Sequence, residues 1–111
     1  MPLEAPSVDS PVLAEIVRRL VEVYHPERIY LFGSAARSEA TVDSDYDLIV
    51  VVPDDTPTEM RRGARAYEAF HGIKASTDVI VWTRTAFDGR LQLRASLPST
   101  VVREGKLLYV A

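Results

Sequence analysis

The chain is expected to fold as a layered α/β or α+β domain, and three observations predict it. Residues 13–24 repeat apolar side chains at helical spacing, whereas residues 46–52 and 77–83 are β-branched apolar runs. The elements follow one another as helix, strand, strand, helix, strand, an order that builds helices onto a sheet. Residues 1–8 read as a loose lead-in, and residues 10–110 as the core of one domain spanning 1–111.

Each element has a local reason. Asp9-Ser10-Pro11 is a helix start, with a capping side chain and a proline in the first turn. Leu13, Ile16, Val17, Leu20, Val23 and Tyr24 form one apolar face, and Pro26 ends the helix. Ile29 to Phe32 is a short buried strand, broken by Gly33-Ser34. Residues 35–40 read as a short helix and residues 41–44 as a turn. Tyr46 to Val52 is the strongest strand, with Leu48 to Val52 apolar enough for burial on both faces. Residues 53–57 are a loop. A second helix is expected from Thr58 to His71, with Met60, Ala64, Tyr67 and Phe70 inward and Gly72 as its stop. Thr77 to Thr83 is the third strand. Thr85 is expected to cap a weak helix through Leu93, Pro98 to open another ending at Gly105, and Leu107 to Val110 to close the chain as a strand.

The composition excludes several classes. Hydrophobic residues at 47% and charged residues at 26% are a globular balance, not a disordered one. There is no cysteine, so disulfides, thiolate metal sites and a cysteine nucleophile fall away together. The longest apolar run, Leu48 to Val52, cannot span a bilayer, and the N-terminus lacks the pattern of a signal peptide. A cytoplasmic protein without membrane attachment is therefore expected. A formal charge of −3 gives no footprint for nucleic-acid binding. Arg61, Arg62 and Arg65 read as a solvated basic stripe, and His25 and His71 as helix-end residues.

The chemistry concentrates in Gly33-Ser34, directly after a strand, and in Asp45-x-Asp47 at the head of the next. Residues two apart on a strand share a face, so the two aspartates project side by side. Like charges that close repel unless a cation lies between them, and Mg²⁺ takes one or two carboxylates together with phosphate oxygens. The alternative for the pair alone is that both cap turns in the loop. Gly33 lets the chain turn sharply and lets a phosphate approach main-chain N–H groups; alone, Gly33-Ser34 is also compatible with an ordinary turn. Asp78 is a third acid at the start of an apolar strand. With residues 77–83 beside residues 46–52, it faces the pair, and three carboxylates suit a two-metal phosphoryl-transfer site. Alone, it is equally a solvent-facing strand-start residue.

Taken together, these residues resemble a known signature. Leu31-Phe32-Gly33-Ser34-Ala35-Ala36-Arg37, followed after residues 35–44 by Asp45-Tyr46-Asp47-Leu48, resembles the DNA polymerase β-like nucleotidyltransferases, and most of all their small MNT-type domains. Ala36-Arg37-Ser38-Glu39-Ala40 has the flavour of the family's linker, although Ser38 stands where glycine is common. Asp78-Val79-Ile80 matches the context of the family's third acid, and residues 102–109 resemble its tail. The resemblance implies a nucleotidyltransferase fold, a small mixed sheet flanked by helices. It implies Asp45, Asp47 and Asp78 as catalytic metal ligands for Mg²⁺, and Gly33, Ser34, Arg37 and Ser44 around the triphosphate of ATP. It implies transfer of a nucleoside monophosphate with loss of pyrophosphate.

Small MNT proteins are commonly antitoxins of HEPN-domain toxins, some adenylylating a toxin tyrosine, so a HEPN-type toxin is the expected partner. A non-catalytic antitoxin that neutralises by occlusion is the main alternative, and modification of a small molecule the second. The related small-molecule enzymes carry an extra helical domain for the acceptor. This sequence is spent on the nucleotide-binding core, so the acceptor site is expected from another chain. Homo-oligomerisation is left open by the sequence.

Overall fold

A computed structural model describes residues 11–33, 46–61, 64–73 and 77–111. Helix α1, Pro11–Tyr24, buries Leu13, Ile16, Val17, Leu20 and Tyr24 along one side. The buried positions recur every three or four residues, which is the period of a helix with one face on a core. His25 ends α1 in the left-handed region at φ 48°, its N–H donating to the Val21 carbonyl at 3.0 Å. Pro26 then prevents continuation.

Strand β1, Arg28–Phe32, and strand β2, Tyr46–Val52, run antiparallel, with Arg28 opposite Val51 and Phe32 opposite Asp47. Strand β3, Thr77–Thr83, lies parallel to β2, and strand β4, Lys106–Val110, antiparallel to β1. The sheet order is β3-β2-β1-β4, a small mixed sheet with β2 and β1 inside. Leu48, Ile49, Val50, Val51 and Val52 are all completely buried, as a strand covered on both faces requires.

Helices cover both faces. On one, α1 and helix α2, Ala64–Ala69, meet Leu31, Leu48, Val50 and Val52. The Arg19 guanidinium donates to the carbonyls of Ala69 at 3.0 Å and His71 at 2.6 Å, placing a cation at the end of α2 where unpaired carbonyls collect. On the other face, Phe87 of helix α3, Arg84–Asp88, and Val101 of helix α4, Leu97–Glu104, pack on Tyr30, Ile49 and Val51. Phe87 stacks on Tyr30 at 5.5 Å between ring centres and takes Trp82 edge-on at 6.3 Å.

Two helices differ from expectation. The segment from Thr58 is a 3-10 turn, Thr58–Arg61, and α2 starts only at Ala64. Met60 N–H closes the tighter ring onto the Pro57 carbonyl at 2.9 Å, and Gly63 is a poor helix former. Helix α3 stops at Asp88 and is capped by Thr83, not Thr85. The Thr85 side chain and N–H are both turned to Asp54, and Gly89 terminates the helix. Helix α4 is capped by Ser96, with Pro98 in its first turn, close to expectation. Among the described residues, no helix is long and apolar enough to cross a membrane.

Candidate active site

The site grows from the ends of three neighbouring strands. Alternation along β2 sends Leu48 and Val50 to the α1 side, and so Asp47, Ile49 and Val51 to the α3 side. Along β3, Val79 and Val81 pack toward α1 while Asp78, Ile80 and Trp82 take the other face. Asp47 and Asp78 are direct register partners in the parallel β2–β3 pair. Their carboxylates therefore rise from one face of adjacent strands spaced about 4.8 Å apart. Asp47 is half-buried and Asp78 exposed.

On the other side of Asp47 the chain leaves β1. Gly33, next after the Phe32 that faces Asp47, adopts φ +81°. A Cβ built there would stand 2.5 Å from Asp47 Oδ2. Glycine is thus required twice, by a left-handed backbone and by a carboxylate that fills the space a side chain would take. Across the sheet the order is Gly33, Asp47, Asp78: a bare main-chain turn, then two acids.

The structure thus brings three of the sequence-predicted residues together. Ser34, Arg37, Ser44 and Asp45 lie outside the described residues. Among the described residues, no group of three or more His, Cys, Asp or Glu side chains is placed to hold a metal. Asp47 and Asp78 provide two hard oxygen donors on one face, a set that fits Mg²⁺, which keeps waters and phosphate oxygens for its remaining positions. The two acids stand next to Gly33, against whose left-handed turn the Asp47 carboxylate packs.

Other candidates fall elsewhere. Arg84, at the far end of β3, bonds Glu27 at 3.1 Å. The Arg90 guanidinium lies 5.6 Å from the centre of the Trp82 ring. Arg61 donates to the Thr58 hydroxyl at 2.8 Å, while Arg62, Arg65 and Lys74 are not among the residues whose side chains are described. A cleft of about 370 Å³ lined by Leu91, Gln92, Arg94, Ser99, Val102 and Arg103 is distinct from the aspartate pair. Sequence reasoning passed over Ile80, which reads as one more core residue of an apolar strand but is 42% exposed. Its signal is tertiary: β3 lies at the edge of the sheet.

Comparison with known proteins gives the family and the fold. The sequence model of the family described as "Nucleotidyltransferase domain" matches residues 11–106. No curated protein matches the chain significantly. Among solved structures, a Sulfolobus solfataricus protein provisionally described as a nucleotidyltransferase superposes with TM-score 0.58 at 22% identity, covering 89% of this chain and 78% of that one. A toxin-antitoxin with AMP-PNP gives TM-score 0.60 at 22% identity, covering 88% and 73%. A mutant of the toxin-antitoxin MntA-HpeT gives 0.59 at 20% identity, with the same coverages of 88% and 73%. At these identities the likeness is one of fold.

Proposed function

This chain belongs to the nucleotidyltransferase domain family, and from that premise we propose that it is an MNT-type enzyme that moves AMP from ATP to a hydroxyl on a partner protein. The partner is a HEPN-type toxin, and the chain acts as its antitoxin. The observation that carries the reading is the register of Asp47 with Asp78 beside Gly33. Two carboxylates side by side on one strand face, next to a left-handed glycine turn, suit metal binding in phosphoryl transfer.

In this reading the main chain at Gly33, with Ser34, Arg37 and Ser44, holds the triphosphate. Asp47, Asp78 and Asp45 would hold Mg²⁺, which when bound neutralises phosphate charge that would otherwise repel the carboxylates. The acceptor oxygen forms a bond to the α-phosphorus. The bond from that phosphorus to the bridging α–β oxygen breaks, and pyrophosphate leaves with the electron pair. The hydroxyl proton passes to a carboxylate oxygen of the aspartate cluster and on to solvent.

The neighbours support the biological side. One structurally similar toxin-antitoxin contains AMP-PNP. Another carries two aspartate-to-glutamate replacements two positions apart, the spacing of Asp45 and Asp47 here. Incubation of the purified chain, ATP and Mg²⁺ with the toxin encoded beside it tests the reading. Intact-mass spectrometry is expected to show one added AMP, or a few, per toxin. A toxin that stays unmodified yet is neutralised in a stoichiometric complex would replace the enzyme with a binding antitoxin.

A further inference from the structure

The face that carries Asp47 and Asp78 continues along β3 as Ile80 and Trp82. Its neighbours differ sharply in cover. Ile49, the register partner of Ile80, is completely buried, whereas Ile80 is 42% exposed. Trp82, two residues further, is half-buried against Phe87 with Arg90 above it. Ile80 is therefore an apolar step between an exposed acid and an aromatic wall, about 13 Å from end to end. The other exposed large hydrophobics among the described residues, Val12, Leu93, Val102 and Val110, are not on β3.

We propose that Ile80 positions the acceptor, seating an apolar side chain that flanks the acceptor hydroxyl on the partner protein; the inference rests on the nucleotidyl-transfer reading above. In the transfer reading the leaving pyrophosphate lies toward the turn at Gly33, and the sheet runs Gly33, Asp47, Asp78 from β1 to β3. In-line displacement places the attacking oxygen on the side of the α-phosphorus opposite the leaving oxygen. The acceptor therefore approaches from the β3 side, and β3 is the last strand of the sheet there. On the same face of β3, the exposed apolar side chain next along the strand from Asp78 is Ile80. A hydroxyl aimed at Asp78 needs its carrier held against this surface, because a misplacement of about 1 Å at the reacting centre is enough to slow transfer severely. The chemistry favoured is a protein segment whose hydroxyl residue has an apolar or aromatic neighbour.

Kinetics with Ile80→Lys, Ile80→Leu and the unaltered chain test the proposal, with the toxin as acceptor and release of AMP to water measured in its absence. Ile80→Lys is expected to raise KM for the toxin about tenfold or more, the scale of losing one apolar contact in a recognition site. KM for ATP and AMP release to water should stay unchanged, and Ile80→Leu should restore the toxin KM. An unchanged toxin KM in Ile80→Lys overturns the positioning role while leaving nucleotidyl transfer intact. Absence of both AMP transfer and AMP release from the unaltered chain would instead remove the parent reading, and this one with it.

Discussion

Gly33 and Asp47 share one space: the position a Cβ would take on residue 33 is 2.5 Å from the Asp47 Oδ2 atom. Gly33→Ala should therefore act twice, straining the backbone at φ +81° and displacing the carboxylate. The strain alone is worth about 1–2 kcal/mol. Gly72 is the matched control, with φ +86° and nothing within 4 Å of its virtual Cβ. Both alanine variants are expected to lose stability in thermal melts, Gly33→Ala at least as much as Gly72→Ala. Only Gly33→Ala should weaken binding of ATP and Mg²⁺ in calorimetric titration, by at least about tenfold. Equal binding by the two variants would separate Gly33 from the nucleotide.

Acid sensitivity should centre on Glu15. Hydrogen bonds from Arg18 and then Arg19 hold its carboxyl down from 4.5 to about 2. A depressed folded-state pKa adds stability above the unfolded value, and that stability is lost as pH falls through the folded one. The window is thus pH 4.5 down to about 2. Asp54, lowered by bonds from the Thr85 side chain and backbone, titrates with the same sign. Glu15→Gln should flatten the fall in melting temperature across this window, and 1 M salt should do much the same because the group is at the surface. A variant with an unchanged acid limb would show that other carboxylates govern it.

Much of this architecture was legible because local chemistry and tertiary context agree. Tyr46–Val52 and Thr77–Thr83 are rich in β-branched residues, and the strands keep those bounds. Helix α1 declares itself by an apolar face and by Pro26. Gly33 was legible as a turn, and Asp78 as an acid that meets Asp47 only with the two strands adjacent. That adjacency was not legible, since parallel pairing is set by a crossover and not by neighbouring residues. Nor was the exposure of Ile80, which depends on β3 being an edge. Helix α3 is shorter than its sequence implied because it ends at Gly89, while Thr85, expected to cap it, lies in its first turn and bonds Asp54, thirty-one residues away.

Phe87 holds the α3 layer to the sheet. It is completely buried, stacks on Tyr30, meets Trp82 edge-on and has the Arg28 guanidinium 5.3 Å from its ring centre. Phe87→Ala should cost about 3–5 kcal/mol, the range for removing a buried phenyl group without collapse of the space. Urea denaturation would show this as a lower midpoint at unchanged slope. A loss below about 1 kcal/mol would mean that α3 repacks freely and contributes little to the fold.

The aspartates allow a test that separates metal binding from architecture. Asp47 and Asp78 are register partners on one face of the sheet. Asp78 is exposed, and Asp78→Asn should change the stability of the metal-free protein by no more than about 0.5 kcal/mol. The unaltered chain is expected to melt higher as Mg²⁺ is added with ATP, by the equivalent of about 2.7 kcal/mol at one hundred times the dissociation constant. That increment should shrink in Asp78→Asn and disappear in Asp47→Asn and Asp45→Asn, and AMP transfer should disappear in the latter two. Asparagine keeps one oxygen donor but loses the charge that offsets the cation, so loss of the Mg²⁺-dependent shift together with failed transfer is the signature of a metal ligand. Wild-type melting shifts and transfer rates in both Asp45→Asn and Asp47→Asn would rule out the metal site.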